Sequence, residues 1–242
     1  MIMVNSNLLP AIGIAGGLLF TTAAQAVLVD NFNVPADTLR VTSSTVGDTV
    51  WENNTQGGDI IGGFRDYSAT LTNGFEVSTW TCGSCLTWHT TAFLGGNGVF
   101  QLVWNGDAAG DASTNNMNVN LTQNGESLLY FEYAADHDVI NMEFIFEDIS
   151  GNSASVNSGG LASTGGSRPE NLAPIILGLP DAQSVNYSSI ANITLTMTGV
   201  PDLDFSLDNV RTTAVPLPGA LGLLCAGVVG LGRLGWRRRR TG

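Results

Sequence analysis

Residues 191–200 read ANITLTMTGV, and apolar and polar side chains alternate at every position from Ile193 to Thr198. Successive side chains of a β-strand point to opposite faces, so a period of two predicts a strand with one buried and one exposed face. Residues 141–148, NMEFIFED, repeat the pattern, with apolar side chains at Met142, Phe144 and Phe146. Both stretches therefore predict half-buried strands.

The same alternation recurs elsewhere in the chain, at residues 69–71, 100–104, 129–133 and 203–207. The 242 residues include 30 glycines, and only 12% are charged, a composition that favours strands joined by turns over amphipathic helices. We therefore predict an all-β protein, with at least eight strands in a single β-sandwich of the jelly-roll type. Two stretches rich in Gly, Ser and Asn, residues 105–116 and 150–171, are predicted to be long surface loops.

The charge distribution limits the kinds of partner. The chain has nine arginines and no lysine, and five of the arginines lie at positions 233 and 237–240. All 21 acidic residues lie between Asp30 and Asp208, which leaves the body of the chain strongly negative. Such a surface repels phosphate backbones, so nucleic acid is excluded as an expected partner, whereas divalent cations suit it.

The first 26 residues have the form of a secretory signal peptide. An apolar run from Leu8 to Phe20 is followed by small residues that end in Ala24-Gln25-Ala26, the pattern that signal peptidase cleaves. We expect export and a mature protein that begins near Val27. The alternative is a buried N-terminal helix.

The other end has the form of a short membrane anchor. Residues 215–232 carry no charge, and a helix of that length reaches about 27 Å, close to the hydrocarbon thickness of a bilayer. The cluster Arg237, Arg238, Arg239 and Arg240 then stops transfer and holds the C-terminus in the cytoplasm. This pattern predicts an inner-membrane intermediate with one transmembrane helix.

A proline motif precedes the predicted span, at Val215, Pro216, Leu217, Pro218 and Gly219. The proline motif, the glycine-rich span and the arginine cluster together resemble the PEP-CTERM class of sorting signals, in its VPLPA-type variant, with Gly219 in place of Ala. The resemblance implies an exosortase, a membrane-embedded cysteine transpeptidase, as the processing partner. It also implies a place at the cell surface or in the exopolysaccharide matrix of a Gram-negative-type bacterium. The alternative is a plain C-terminal anchor.

These assignments divide the chain into three parts: a signal peptide at 1–26, a β-sandwich ectodomain at 27–213 and a sorting signal at 214–242. The function that we expect is that of a non-enzymatic structural or polysaccharide-binding protein. The alternative is a secreted carbohydrate-active enzyme of the glycoside hydrolase kind, because paired carboxylates can be far apart in sequence.

Cys82 and Cys85 form a C-x-x-C motif within TWTCGSCLTWH, residues 79–89. A thioredoxin-like site needs a helix after the first cysteine, and a zinc site needs two more ligands close by. The flanking Thr and Trp favour strands instead, and Gly-Ser is a two-residue hairpin turn. In an exported chain we expect a disulfide that closes this hairpin.

Pairing Cys82 with Cys85 fixes which side chains share a face of the hairpin. One face, predicted to be core, carries Phe75, Val77, Leu86 and Trp88. The other carries Glu76, Ser78, Trp80, Thr87 and His89. A tryptophan among polar groups on a sheet can stack on a sugar ring, so Trp80, Glu76 and His89 are candidate ligand-binding residues. The alternative is that Trp80 covers the disulfide or packs under a loop.

Two further groups could hold a metal ion. Asp136-His137-Asp138 could bind one, although a histidine between acids in a turn is usually solvated. The segments VDNF at Asp30 and FSLDNVR at Asp208 resemble the first and last strands of carbohydrate-binding jelly rolls, which implies a structural calcium site. The alternative is that both aspartates cap turns.

Overall fold

The computed structural model describes residues 26–213, except 92–94, 108–116, 124, 139–140, 167–172 and 181–183. The described residues form two antiparallel sheets. Sheet A contains β1 (Leu28–Asp30), β2 (Leu39–Thr42), β5 (Glu76–Thr81), β6 (Leu86–Thr90), β8 (Leu128–Ala135), β11 (Ala173–Gly178) and β13 (Asp204–Thr213). Sheet B contains β3 (Thr49–Gln56), β4 (Phe64–Asn73), β7 (Asn97–Trp104), β9 (Asn141–Asp148), β10 (Ser153–Asn157) and β12 (Ile190–Thr198). Single 3₁₀ turns occur at Ser43–Thr45 and Ile61–Gly63.

The strand order shows that chain neighbours are often not sheet neighbours. Sheet A runs β11-β8-β13-β6-β5-β2, with β1 beside β13, and sheet B runs β10-β9-β12-β7-β4-β3. The predicted all-β fold and the two-sheet sandwich are confirmed, and all six stretches selected by their alternation overlap strands or, for residue 203, directly precede one.

The core lies between the sheets, where aromatic rings from sheet A pack on rings from sheet B. Trp88 of β6 stacks on Phe100 of β7 with ring centroids 5.6 Å apart, and Phe131 of β8 packs on Phe144 of β9 at 5.4 Å. Gly199 must be glycine here, because a Cβ would lie 2.8 Å from the Trp88 ring. Trp88 is therefore the core residue that the hairpin register predicted.

A buried ion pair crosses between the sheets. Arg65 of β4 donates from Nη1 to Asp30 Oδ2 of β1 at 2.7 Å, and neither side chain is exposed. Trp104 of β7 donates from its indole nitrogen to the same oxygen at 2.9 Å. The Arg65 guanidinium also lies over the Phe32 ring, 5.0 Å from its centroid. These contacts fix the N-terminal strand against sheet B.

Two details of the sequence prediction were wrong. Residues 150–171 are not one loop, because Ser153–Asn157 form edge strand β10, in which Ala154 and Val156 alternate with polar residues. Phe75 is not in the core: it precedes β5 and is 39% exposed. Both errors come from segments that are too short or too close to a turn for alternation to be decisive.

The two terminal predictions lie outside the described residues: the signal peptide cleavage region up to Gln25, and the sorting signal from Ala214, including Val215–Gly219 and Arg237–Arg240. Within the described part of the chain, no helix has the length and hydropathy of a membrane span. Most of the predicted loop at 105–116 also falls outside it.

Candidate functional site: the outer face of sheet A

The β5–β6 hairpin has the predicted register and the predicted disulfide. Cys82 and Cys85 are bonded, and the Cys82 amide donates to the Cys85 carbonyl at 2.7 Å. Gly83 sits in the turn at φ 101°, a conformation that favours glycine. Trp80 pairs with Thr87 and Ser78 pairs with His89. The hairpin therefore presents Trp80 on the side of sheet A that faces away from the core.

We call this side the outer face of sheet A. Strand parity and the pairing of the strands place residues of six strands, from β2 to β11, on this face. Among them are Arg40, Glu76, Ser78, Trp80, Thr87, His89, Tyr130, Glu132, Ala134, Ile176, Asp204, Ser206, Asp208 and Arg211. The opposite side chains of the same strands form the core. Two of the four arginines in the body of the chain lie on this face.

A row of small side chains runs across the middle of the face. Trp80 is opposite Thr87, Thr87 is opposite Ser206, and Ser206 is opposite Ala134. Trp80 is half-buried, whereas the other three are buried although they point outward. Larger side chains occupy the rows on either side, about 7 Å away along the strands. The small residues therefore form a recessed floor that begins at Trp80.

An ion pair and a side-chain hydrogen bond hold the polar side chains on one flank of this floor. Arg40 Nη2 contacts Glu76 Oε2, with side chains 64% and 12% exposed. His89 Nδ1 contacts Asp204 Oδ1, and both groups are partly exposed. Glu76 and His89, two of the predicted binding residues, therefore lie on the same face as Trp80, and each already has a charged partner. Paired side chains are held in fixed positions, which lowers the entropy lost on binding a ligand.

A β-bulge in β13 creates the other flank. In β13, Asn209 adopts φ 50°, and the register shifts between Asp208 and Arg211. Asp208 is then opposite Glu132, and Arg211 is opposite Tyr130. The extra residue keeps both Asp208 and Arg211 on the outer face, although an uninterrupted strand would place them on opposite faces. Sequence alternation alone cannot locate a bulge.

This flank places two carboxyl groups side by side. Burial, and then the charges of Glu132 and Asp30, raise the pKa of Asp208 to about 6, although the Asn209 amide that donates to its Oδ1 acts in the other direction. Tyr130 donates its hydroxyl to Glu132 Oε1. The Arg211 guanidinium lies over the Tyr130 ring, 4.4 Å from its centroid. The Asp208 carboxyl can therefore hold or release a proton in mildly acidic water.

The residues proposed for calcium do not fit a calcium site. Asp30 is fully buried, and its carboxylate already accepts hydrogen bonds from Arg65, Trp104 and the Phe32 amide. The positive charge that calcium would supply is present as the Arg65 guanidinium. Asp208 lies on the outer face with Glu132 instead. Among the described residues, no group of three or more His, Cys, Asp or Glu could hold a metal ion.

The Asp136-His137-Asp138 segment is engaged within the protein. Asp136 Oδ1 accepts from the Asp204 amide at 2.7 Å and contacts His137 Nδ1 at 3.1 Å. Asp138 Oδ1 accepts from the Ser163 amide at 2.7 Å. The hydrogen bond and the charge of Asp136 raise the pKa of His137. Asp136 therefore ties the segment to the start of β13, and Asp138 ties it to the loop at Ser163.

Comparison with known proteins gives only distant structural similarity. No protein family matches the sequence, and no curated protein matches it. A family 11 carbohydrate-binding module of a Clostridium thermocellum cellulosomal cellulase matches 80% of this chain and 97% of its own, with 10% identity and a TM-score of 0.38. A carbohydrate-binding module specific for non-crystalline cellulose matches 60% and 80%, with 12% identity and a TM-score of 0.36.

An agarase matches 61% of this chain, with 14% identity and a TM-score of 0.40, but the match spans only 22% of the agarase. At these identities and TM-scores, the similarities assign neither a family nor a ligand to the chain.

Proposed function

We propose that the protein is an exported polysaccharide-binding protein, and that it binds sugar chains on the outer face of sheet A. The observation that carries the proposal is the position of Trp80, which stands half-buried at one end of a recessed floor of small side chains. An indole ring in this setting offers a flat apolar surface for a pyranose ring. The exposed side chains beside the floor, among them Arg40 and Asp204, supply contacts for the rest of the sugar chain.

Polar groups on both sides of the floor supply the hydrogen bonds that orient a sugar. Carboxylates accept hydrogen bonds from hydroxyl groups, and Arg40 and Arg211 donate them. The Arg40–Glu76 ion pair and the His89–Asp204 hydrogen bond already hold four of these side chains in place. Binding then orders few additional side chains, which favours affinity from a small contact area.

Delivery to the polysaccharide depends on the two ends of the chain. The signal peptide sends the protein through the general secretory route, and signal peptidase releases the mature N-terminus near Val27. The tail holds the protein in the inner membrane until an exosortase-type enzyme recognises Val215–Gly219 and removes Arg237–Arg240. The mature protein then acts at the cell surface or in the extracellular matrix.

Retention on immobilised polysaccharides tests the binding proposal. Cellulose, agarose, galactomannan, amylose and alginate form a panel in which four polymers are uncharged and alginate is anionic. Wild-type protein is expected to be retained by at least one polymer, and Trp80→Ala is expected to weaken that retention at least tenfold. Ile149→Ala is the matched control, because Ile149 is an exposed apolar residue in the turn after β9 and lies on neither outer face. Equal retention of the two variants would refute the proposal.

A second candidate function, glycoside cleavage, is favoured by the opposed carboxyl groups of Asp208 and Glu132. Side chains directly opposite in an antiparallel pair have Cβ atoms about 5 Å apart, a spacing compatible with the carboxyl pair of a retaining glycosidase. The raised pKa of Asp208 suits a general acid. Release of new reducing ends from a retained polymer, abolished by Asp208→Asn, would establish this function. No release from any polymer of the panel would exclude cleavage of those polymers.

A further inference from the structure

The opposite side of the sandwich carries an uninterrupted row of polar side chains. On the outer face of sheet B, Trp51 pairs with Ser68, and the row continues in register across every strand of the sheet: Trp51, Ser68, Gln101, Thr196, Glu143 and Asn157. Five strand spacings of about 4.8 Å give it a length of about 24 Å. On β4, β7, β9 and β12, the strand neighbours of these residues point into the core, which fixes the row on the outside.

The end of this row is an exposed aromatic ring. Trp51 lies on edge strand β3 and is 36% exposed. Ser68, beside it, is buried and small, so the indole stands above its neighbour. Within the described part of the chain, the side chains of Gln101, Thr196 and Glu143 have no hydrogen-bond partner. These groups can therefore bond a ligand that lies along the row without losing bonds inside the protein.

The charge of this face selects the ligand. Arg65 is the only cation on the described strands of sheet B, and it is fully buried against Asp30. Glu143 and Glu147 point outward from β9. A face with carboxylates and no accessible cation repels anionic polymers, whereas hydroxyl and amide groups suit uncharged sugars.

We propose that the outer face of sheet B is a second polysaccharide-binding site, for an uncharged chain that stacks on Trp51 and lies along the row to Asn157. This inference rests on the proposed function of the outer face of sheet A. The two faces point in opposite directions on either side of a core about 10 Å thick. One molecule therefore binds two different sugar chains and cross-links them.

A protein with two binding sites can bridge two sugar chains, whereas a protein with one site cannot. Beads coated with each uncharged polymer of the panel are mixed with full-length protein and with the same polymer in soluble, fluorescent form. Wild-type protein is expected to carry fluorescence to the beads. Trp51→Ala and Trp80→Ala are each expected to reduce the captured fluorescence at least tenfold, although each variant protein still binds the beads, more weakly than wild type, through its remaining site. Both variants remove a tryptophan outside the core, so neither is expected to unfold the protein.

A matched pair of threonines tests the row itself. Thr196 and Thr194 both point outward from β12, but only Thr196 lies in the row with Trp51. Thr196→Ala is expected to lower bridging severalfold, whereas Thr194→Ala is expected to leave it unchanged. Equal bridging by the two variants would show that the row does not bind the chain.

Other outcomes overturn the inference in distinguishable ways. If Trp51→Ala bridges as well as wild type while Trp80→Ala does not, the second site is absent and the first one stands. If wild-type protein is retained on no polymer, the proposed function fails, and this inference fails with it. If wild-type protein sediments as a dimer without polysaccharide and Trp51→Ala sediments as a monomer, the face binds a second copy of the chain instead.

Discussion

Arg65 of sheet B and Asp30 of sheet A form an ion pair, 2.7 Å between Nη1 and Oδ2, from which water is excluded on all sides. Removing one member of such a pair leaves the other charge buried without its counter-ion, which costs about 3 to 5 kcal/mol. We therefore expect Asp30→Asn to lower the free energy of unfolding by that amount in urea denaturation. The Arg65 guanidinium thus supplies the positive charge that the sequence pattern at Asp30 had assigned to a calcium ion.

The exposed pair Arg40–Glu76 is the control for this prediction. Arg40→Met breaks an ion pair whose arginine side chain is 64% exposed and therefore screened by solvent, so the free energy of unfolding is expected to change little. If Asp30→Asn costs no more than Arg40→Met, the buried pair does not stabilise the sandwich in the way described.

The raised pKa of Asp208 makes the free energy of unfolding depend on pH. Its folded-state pKa of about 6 lies above the ordinary value of a carboxyl group, so the folded state holds the proton more tightly than the unfolded state does. The contribution of Asp208 is therefore favourable at low pH and is lost as pH rises from about 4 to about 6. Asp208→Asn removes this loss and is expected to stabilise the protein at pH 7 by about 1 kcal/mol, after allowance for solvent screening.

Thermal unfolding at two pH values checks this expectation. At pH 7 the asparagine variant should melt above wild type, and at pH 4 the two should melt together. A variant that melts below wild type at pH 7 would mean that the ionised Asp208 carboxylate is stabilised by a partner on the outer face.

The strands and their faces were predictable from the sequence, because alternation reports directly on burial in a two-sided sheet. The hairpin register was also predictable, since the disulfide between Cys82 and Cys85 leaves one pairing. The bulge at Asn209 was not, because it changes the face of every residue that follows without changing the composition. The Arg65–Asp30 pair was hidden for another reason: charged residues are normally placed on the surface, and only the packed structure shows that these two neutralise each other.

The disulfide is expected to act locally on the binding face. It closes a loop of four residues, for which the chain-entropy estimate is about 2 kcal/mol. Cys82→Ser/Cys85→Ser should therefore lower stability by no more than that amount, yet weaken polysaccharide retention, because the hairpin that holds Trp80 becomes free to twist. Retention equal to that of wild type in a folded double variant would show that the disulfide does not position the tryptophan.

Processing of the two ends is expected to leave a shorter mature protein. Intact-mass measurement of protein recovered from the native cell surface should give a chain that begins near Val27 and lacks Arg237–Arg240. Cys225 lies in the tail that is removed, so it should be absent as well. A mass that includes the arginine cluster would identify the tail as a plain membrane anchor and rule out processing by an exosortase.

Trp88 is the buried counterpart of Trp80 in the β5–β6 hairpin. It is 1% exposed and stacked on Phe100, so Trp88→Ala is expected to lower the free energy of unfolding by about 3 to 5 kcal/mol. Trp80, eight residues earlier and on the opposite face of the same hairpin, should be dispensable for folding.

The claim that Trp80 binds sugar and does not support the fold is tested by measuring two properties of Trp80→Ala together. They are its melting temperature and its retention on the polysaccharide that retains wild-type protein. Binding through the outer face of sheet A predicts a melting temperature within a few degrees of wild type and retention reduced at least tenfold. A variant that unfolds, or one that folds and is retained as strongly as wild type, would contradict the claim and make Trp80 a structural residue.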